Sequence, residues 1–165
     1  MTSSNRKMLG ALALLAGLGL GAARAQGVDV QNAWARTTVP GQKATGAFMT
    51  LTAKDGSRLV GAASPVAGVA EVHEMKLEGD VMRMRALTNG LELPAGQPVA
   101  LRPGGYHVML MDLKAALPKD STIPLTLMFR DAKGQESKVE LKVPVSTTAP
   151  DSQPGVPAPA AAHKH

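Results

Sequence analysis

Three short segments between positions 73 and 111 gather the side chains best suited to chemistry: His73-Glu74-Met75, Met82-Arg83-Met84 and His107-Val108-Met109-Leu110-Met111. Both histidines outside the extreme C-terminus lie two residues before a methionine, in a chain of 165 residues with no cysteine. Thioether sulfur is a soft ligand and imidazole a borderline one. Together they suit Cu(I) far better than Mg²⁺, Ca²⁺ or Mn²⁺, which prefer oxygen. In a β-strand, residues i and i+2 share a face, roughly 6.5–7 Å apart at Cα. His107 with Met109, Met82 with Met84, and His73 with Met75 would each share one. If their strands are neighbours, a site of two His and two Met can form without backbone strain.

Packing offers a competing explanation. Methionine is a common core filler, and Met49 and Met128 are expected to be only that. Met111 continues the His107/Met109 face but is expected to lie in the core, whereas Met75 and Met82 stay open. On spacing alone the soft-metal reading and the packing reading are equally supported. Acid–base catalysis fares worse. Glu71, Glu74 and Glu78 lie near His73, but no second carboxylate cluster or nucleophile accompanies them, and Ser57 and Ser64 sit in ordinary turns. Pro103-Gly104-Gly105 lacks the glycine spacing and Lys-Ser/Thr ending of a phosphate loop. The sequence is read as that of a binding protein, not an enzyme.

Around these residues the chain reads as short strands between turn signals. Candidate strands are 28–38, 45–53, 58–63, 69–77, 81–87, 91–93, 99–102, 106–113, 122–130 and 137–145, broken by Pro40-Gly41, Lys54-Asp55-Gly56, Glu78-Gly79-Asp80, Thr88-Asn89-Gly90 and Pro103-Gly104-Gly105. This spacing predicts an all-β sandwich or barrel. Outside the leader only Leu113 to Leu117 offers a helical turn, before Pro118. No internal repeat is visible.

Residues 1–25 resemble a secretory signal: Arg6 and Lys7, then an apolar run from Met8 to Ala23, then Ala23-Arg24-Ala25 as a small-x-small cleavage site before Gln26. The run is shorter than the roughly 20 residues of a spanning helix. The expected product is exported, and with no cysteine it carries neither disulfides nor a lipid-bearing cysteine. Cysteine-ligated zinc, thiol nucleophiles and ordinary blue-copper centres are excluded as well. The formal charge of +5 is partly the leader's. Without Arg6, Lys7 and Arg24, 15 basic residues face 13 acidic ones, a net of +2. With four aromatic residues and no densely basic window, nucleic acid is not an expected partner. Residues 147–165 are mostly Pro, Ala, Ser and Thr and are expected to be a disordered tail. Its ending, His163-Lys164-His165, is as consistent with a Cu(II)- or Ni(II)-binding pair of imidazoles as with a solvated terminus.

Over about residues 28–146 the sequence resembles the periplasmic copper chaperones often written PCu(A)C. The resemblance rests on A-W-A-R at 33–36, G-A-F-M at 46–49, V-H-E-M at 72–75, V-M-R-M-R at 81–85, L-P-A-G at 93–96 and P-G-G-Y-H-V-M-L-M at 103–111. L-K-x-x-L-P-K-D at 113–120 and V-E-L-K-V-P-V at 139–145 complete it. It implies a cupredoxin-like, Greek-key β-sandwich over 26–146 that binds one Cu(I) through His73, Met84, His107 and Met109. It further implies a periplasmic metallochaperone that supplies the dinuclear copper centre of cytochrome c oxidase. The partners would be an oxidase subunit or another copper chaperone, with the membrane reached only through the acceptor. Phe48 stands where a Tyr is common, and the tail is short and lacks the methionines of Cu(II)-binding tails. A copper-sequestering resistance protein would carry the same site. An exported β-sandwich interaction module without metal is the reading from a different class.

Overall fold

The computed structural model describes residues 27–150. They form ten strands: β1 (Val28–Arg36), β2 (Ala44–Ala53), β3 (Ser57–Ala63), β4 (Ala67–Glu78), β5 (Val81–Ala86), β6 (Leu91–Leu93), β7 (Pro98–Leu101), β8 (His107–Leu113), β9 (Thr122–Arg130) and β10 (Glu136–Ser146). Every strand expected from the sequence is present, with ends displaced by at most two residues. The helical turn expected over Leu113–Leu117 is not. Its amides are taken by other segments: Leu113 donates to the Lys43 carbonyl, Lys114 to that of Val66, and Leu117 to Thr38 Oγ1. No α-helix occurs among the described residues. The leader expected over 1–25 and the tail from 151 onward, with His163 and His165, lie outside them.

The strands form two layers. One has the order β5-β4-β8-β2-β1, with β7 pairing β2 beyond the end of β8. The other runs β10-β9-β3-β6. A short parallel pairing joins them, Ala35 with Val145 and Arg36 with Ser146. One apolar cluster fills the space between, drawing Ala47, Met49, Leu51, Val72, Val108 and Leu110 from the first layer and Leu59, Leu125, Leu127, Phe129, Val139 and Val143 from the second. This is the all-β sandwich that the turn spacing predicts.

Strand alternation decides which side chains enter that core. Along β8, Val108 and Leu110 are fully buried in it, so His107, Met109 and Met111 face the other way. Along β4, Val72 points in, so Glu71, His73 and Met75 point out. Met111 is therefore half-buried on the outer face and does not belong to the core as expected. Met128 departs from its expected place for the same reason. Leu127 and Phe129 face inward, and Met128 lies half-buried outside, over Gly61, where a Cβ would come within 2.9 Å of its Cε. Met49 is buried as expected.

β1 needs an irregularity to serve both layers. Its register to β2 shifts between Gln31 and Trp34, and Asn32 takes a φ of 53°. This one-residue bulge reverses the parity of the strand. Val28 and Val30 face the core before it and Ala35 after it, so that Trp34 emerges on the outer face opposite Phe48.

Candidate metal centre

β5, β4, β8 and β2 are consecutive neighbours, and their registers bring the sequence-predicted residues together on the outer face of the first layer. His73 lies directly opposite His107, Met75 opposite Met84, and Met109 between Glu71 and Gly46. The two imidazole centroids are 5.8 Å apart, with planes inclined at 58°. An open pocket of about 310 Å³ on this face is lined by His107, Met109, Met84 and Met75, together with Phe48 and Arg36.

Both histidines are buried although they stand outside the core, at 7% and 6% exposure. Aromatic side chains lie beside them. The Phe48 ring is 4.8 Å from that of Trp34 and 6.3 Å from that of His107, so Trp34, Phe48, His107 and His73 form a row across four strands. Gly46 permits it. A Cβ there would meet Phe48 Cζ at 2.7 Å, so only a residue without a side chain lets the ring lie over this position. Arg36 covers the same ring, its guanidinium carbon 5.6 Å from the centroid, and its carbonyl accepts the Thr45 hydroxyl at 2.8 Å.

Each imidazole is held through one nitrogen, leaving the other for a ligand. His107 Nδ1–H donates to the Gly105 carbonyl at 3.1 Å, so the neutral ring carries its lone pair on Nε2. The same carbonyl accepts the Met75 amide at 3.1 Å, which ties the glycine turn to β4. Burial pushes His107 below the usual imidazole range. The Gly105 hydrogen bond acts against that shift, and the nearby His73 adds to it. His73 Nε2–H donates to Glu71 Oε2 at 2.8 Å. Its Nδ1 is buried without a hydrogen-bond partner among the described residues. An unpartnered buried acceptor is costly unless something is meant to bind it. A carboxylate on the far nitrogen of a ligating imidazole is a recurrent outer partner of metal sites. The donor set is thus two nitrogens and two or more thioethers, with no carboxylate among the residues lining the pocket. It fits a soft monovalent ion.

Of the residues singled out from sequence, His107, Met109 and Met84 line the pocket, and His73 lies opposite His107 without lining it. Met75 joins them, opposite Met84 on the pocket wall. Met111 and Met82 share the face but lie farther along it, Met111 opposite Val69 and Met82 opposite Leu77. Three contributors had no assigned role: Glu71, the Gly105 carbonyl and the Gly46 gap. Glu71 could have been found from its i, i+2 spacing to His73. The other two depend on cross-strand register.

A family model described as "Putative lipoprotein LpqE-like" matches residues 28–145. The "Putative lipoprotein Lxx21020" of Leifsonia xyli subsp. xyli is 34% identical over 119 residues, which are 72% of each chain. The solution structure of CuI-DR1885 from Deinococcus radiodurans is 31% identical, covers 74% of this chain and 82% of that one, and superposes with a TM-score of 0.55. The copper-bound PCuAC domain from PmoF2 is 23% identical over 73% of this chain and 93% of that domain, with a TM-score of 0.56, and shares the fold. The family match spans the whole sandwich from β1 to β10, and this chain belongs to the LpqE-like family.

Proposed function

We propose that this protein is an exported copper carrier, not an enzyme. It binds one Cu(I) through His73 Nδ1, His107 Nε2, Met109 and Met84 and passes it to a copper-accepting protein. The observation that carries this reading is the pair of buried imidazoles facing each other across β4 and β8, His73 with an unpartnered Nδ1 and His107 on the wall of a thioether-lined pocket. Solved structures with this fold hold copper, one of them as Cu(I) in a 31% identical relative. Neutral ligands leave the site only the ion's own positive charge. Thioethers cannot be disabled by disulfide formation in an oxidising compartment, although they can form sulfoxides. The leader-like residues 1–25 and the lipoprotein description of the family support export, and the periplasm is the compartment we assign. Lipid attachment through cysteine is not open to this sequence, which has none.

Supply of the dinuclear copper centre of cytochrome c oxidase is the delivery role that we propose. The first test is an anaerobic Cu(I) titration of residues 26–146 against bicinchoninate, with X-ray absorption to read the ligand types. We expect one tightly bound Cu(I) with mixed nitrogen and sulfur coordination, and much weaker Zn²⁺ binding. Equal or tighter Zn²⁺ binding would overturn the assignment. Transfer of the bound Cu(I) to a soluble copper-binding fragment of the oxidase tests delivery, and its absence would favour sequestration.

A further inference from the structure

Methionine is usually buried, yet β5 carries two that are nearly half exposed, Met82 and Met84, each at 48%. They alternate with Arg83 and Arg85, so both lie on the outer face. The two arginines pair with Glu78 and Glu74 on the opposite side of the hairpin. The register sets Met75 opposite Met84 and Leu77 opposite Met82. Met82 is therefore the diagonal neighbour of Met75, roughly 7–8 Å away, within reach of long side chains. Core packing explains neither exposed methionine, because β5 is an edge strand and all six of its residues are exposed. The hairpin's outer face thus presents three flexible thioethers and a leucine, with no charged group among them.

We propose that Met75, Met82 and Met84 form a second Cu(I) station, made of thioethers alone, through which the ion enters and leaves the centre at His73, His107 and Met109. This rests on the copper-carrier reading above. Met84 belongs to both stations. Cu(I) keeps its bond to Met84 while the bonds to the imidazoles and Met109 break and bonds to Met75 and Met82 form. Every ligand is neutral and the ion stays Cu(I), so no electron or proton need move. The outer station binds more weakly, because it is solvent-exposed and lacks nitrogen donors. That weakness lets an acceptor take the ion from the exposed edge. Three thioethers also select the soft monovalent ion and reject Zn²⁺.

The test uses the folded domain with its methionine methyls labelled with ¹³C and titrated anaerobically with Cu(I). The Met109 methyl is expected to move with the first equivalent and the Met82 methyl with ion added beyond it. Met82→Leu conserves volume and apolarity, so the fold should hold. This variant is expected to keep wild-type affinity for the first equivalent and to pass Cu(I) to bicinchoninate several-fold more slowly. A Met82 methyl that never shifts while Met109 does overturns the station and leaves the carrier intact. So does a wild-type transfer rate in Met82→Leu. If neither methyl moves at any ratio, the carrier reading itself has failed.

Discussion

Two histidines of similar burial are held by different means, and each should respond differently to substitution. His73 is oriented by a carboxylate that is 47% exposed, so Glu71 acts on the site without lying in it. Loss of such an outer partner typically costs 10–100-fold in metal affinity. For Glu71→Gln, which keeps an acceptor and loses the charge, we expect about tenfold weaker Cu(I) binding, the low end of that range, with the melting temperature unchanged. A competition titration beside a thermal melt reads both. Met109 is half-buried and outside the core. Met109→Ala should therefore weaken Cu(I) binding strongly and cost less stability than the roughly 2–5 kcal/mol of a buried Met truncation. A loss in that range would return Met109 to the core. For His107 the direction with pH follows from its lowered pKa. The unfolded chain, at a reference value of about 6.5, takes up the proton more readily than the fold does. The stabilisation is complete above that value and is lost as pH falls through the folded pKa. The metal-free domain should melt at a lower temperature at pH 5 than at pH 7, and His107→Gln should flatten that dependence. Cu(I) affinity should decline over the same range, because His107 must give up its proton to bind the metal. A flat affinity profile would remove His107 from the ligand set.

At the level of single elements, a period of two explains why the site stands on a sheet face. Once Val108 and Leu110 are committed to the core, His107 and Met109 cannot be. That much was legible in the sequence, since turn signals separated most of the strands and alternation paired each histidine with its methionine. The placement of Met111 and Met128 was not. Their hydrophobicity suggested the core, while the inward parity of β8 and β9 was set by Leu110, Leu127 and Phe129. The pairing of His73 with His107 was also hidden, because it depends on β4 lying beside β8, a contact between strands far apart in sequence. The Asn32 bulge carried no signal stronger than an ordinary polar residue, yet it brings Trp34 to the Phe48 side. The aromatic row gives this element a prediction of its own. In Gly46→Ala the new methyl must displace the Phe48 ring, whose Cζ would lie 2.7 Å away. Overpacking of this kind typically costs about 1–3 kcal/mol. Denaturant unfolding should show that loss, and the shifted ring should also weaken Cu(I) binding at the adjoining His107. Wild-type stability in this variant would mean that the ring moves aside freely and does not fix the imidazole.

The whole molecule closes where its last strand meets its first. β10 is the joint between the layers. It pairs antiparallel with β9 along nine positions and parallel with β1 at Ala35 and Arg36. Val143 and Val145 are almost fully buried, the Val145 amide and carbonyl bond Ser121 and Asp120, and the Ser146 carbonyl accepts the Thr37 amide at 2.9 Å. The β1 end held there contains Arg36, which faces the metal pocket. Two truncations a few residues apart should therefore behave in opposite ways. A chain ending at Ser146 keeps every one of these contacts, and we expect it to melt like the full-length protein and bind Cu(I) with the same affinity. If it loses only a weaker Cu(II) site, His163 and His165 supply that site. A chain ending at Lys142 loses two core valines and the bonds that join the layers. Each buried valine contributes roughly 1.5–3 kcal/mol, against a total stability of about 5–15 kcal/mol for an ordinary domain. That shorter chain should lose its cooperative melt, and Cu(I) binding with it, since His73 and His107 meet only when β4 and β8 are packed. A fall in melting temperature already at Ser146 would mean that residues beyond β10 belong to the folded domain.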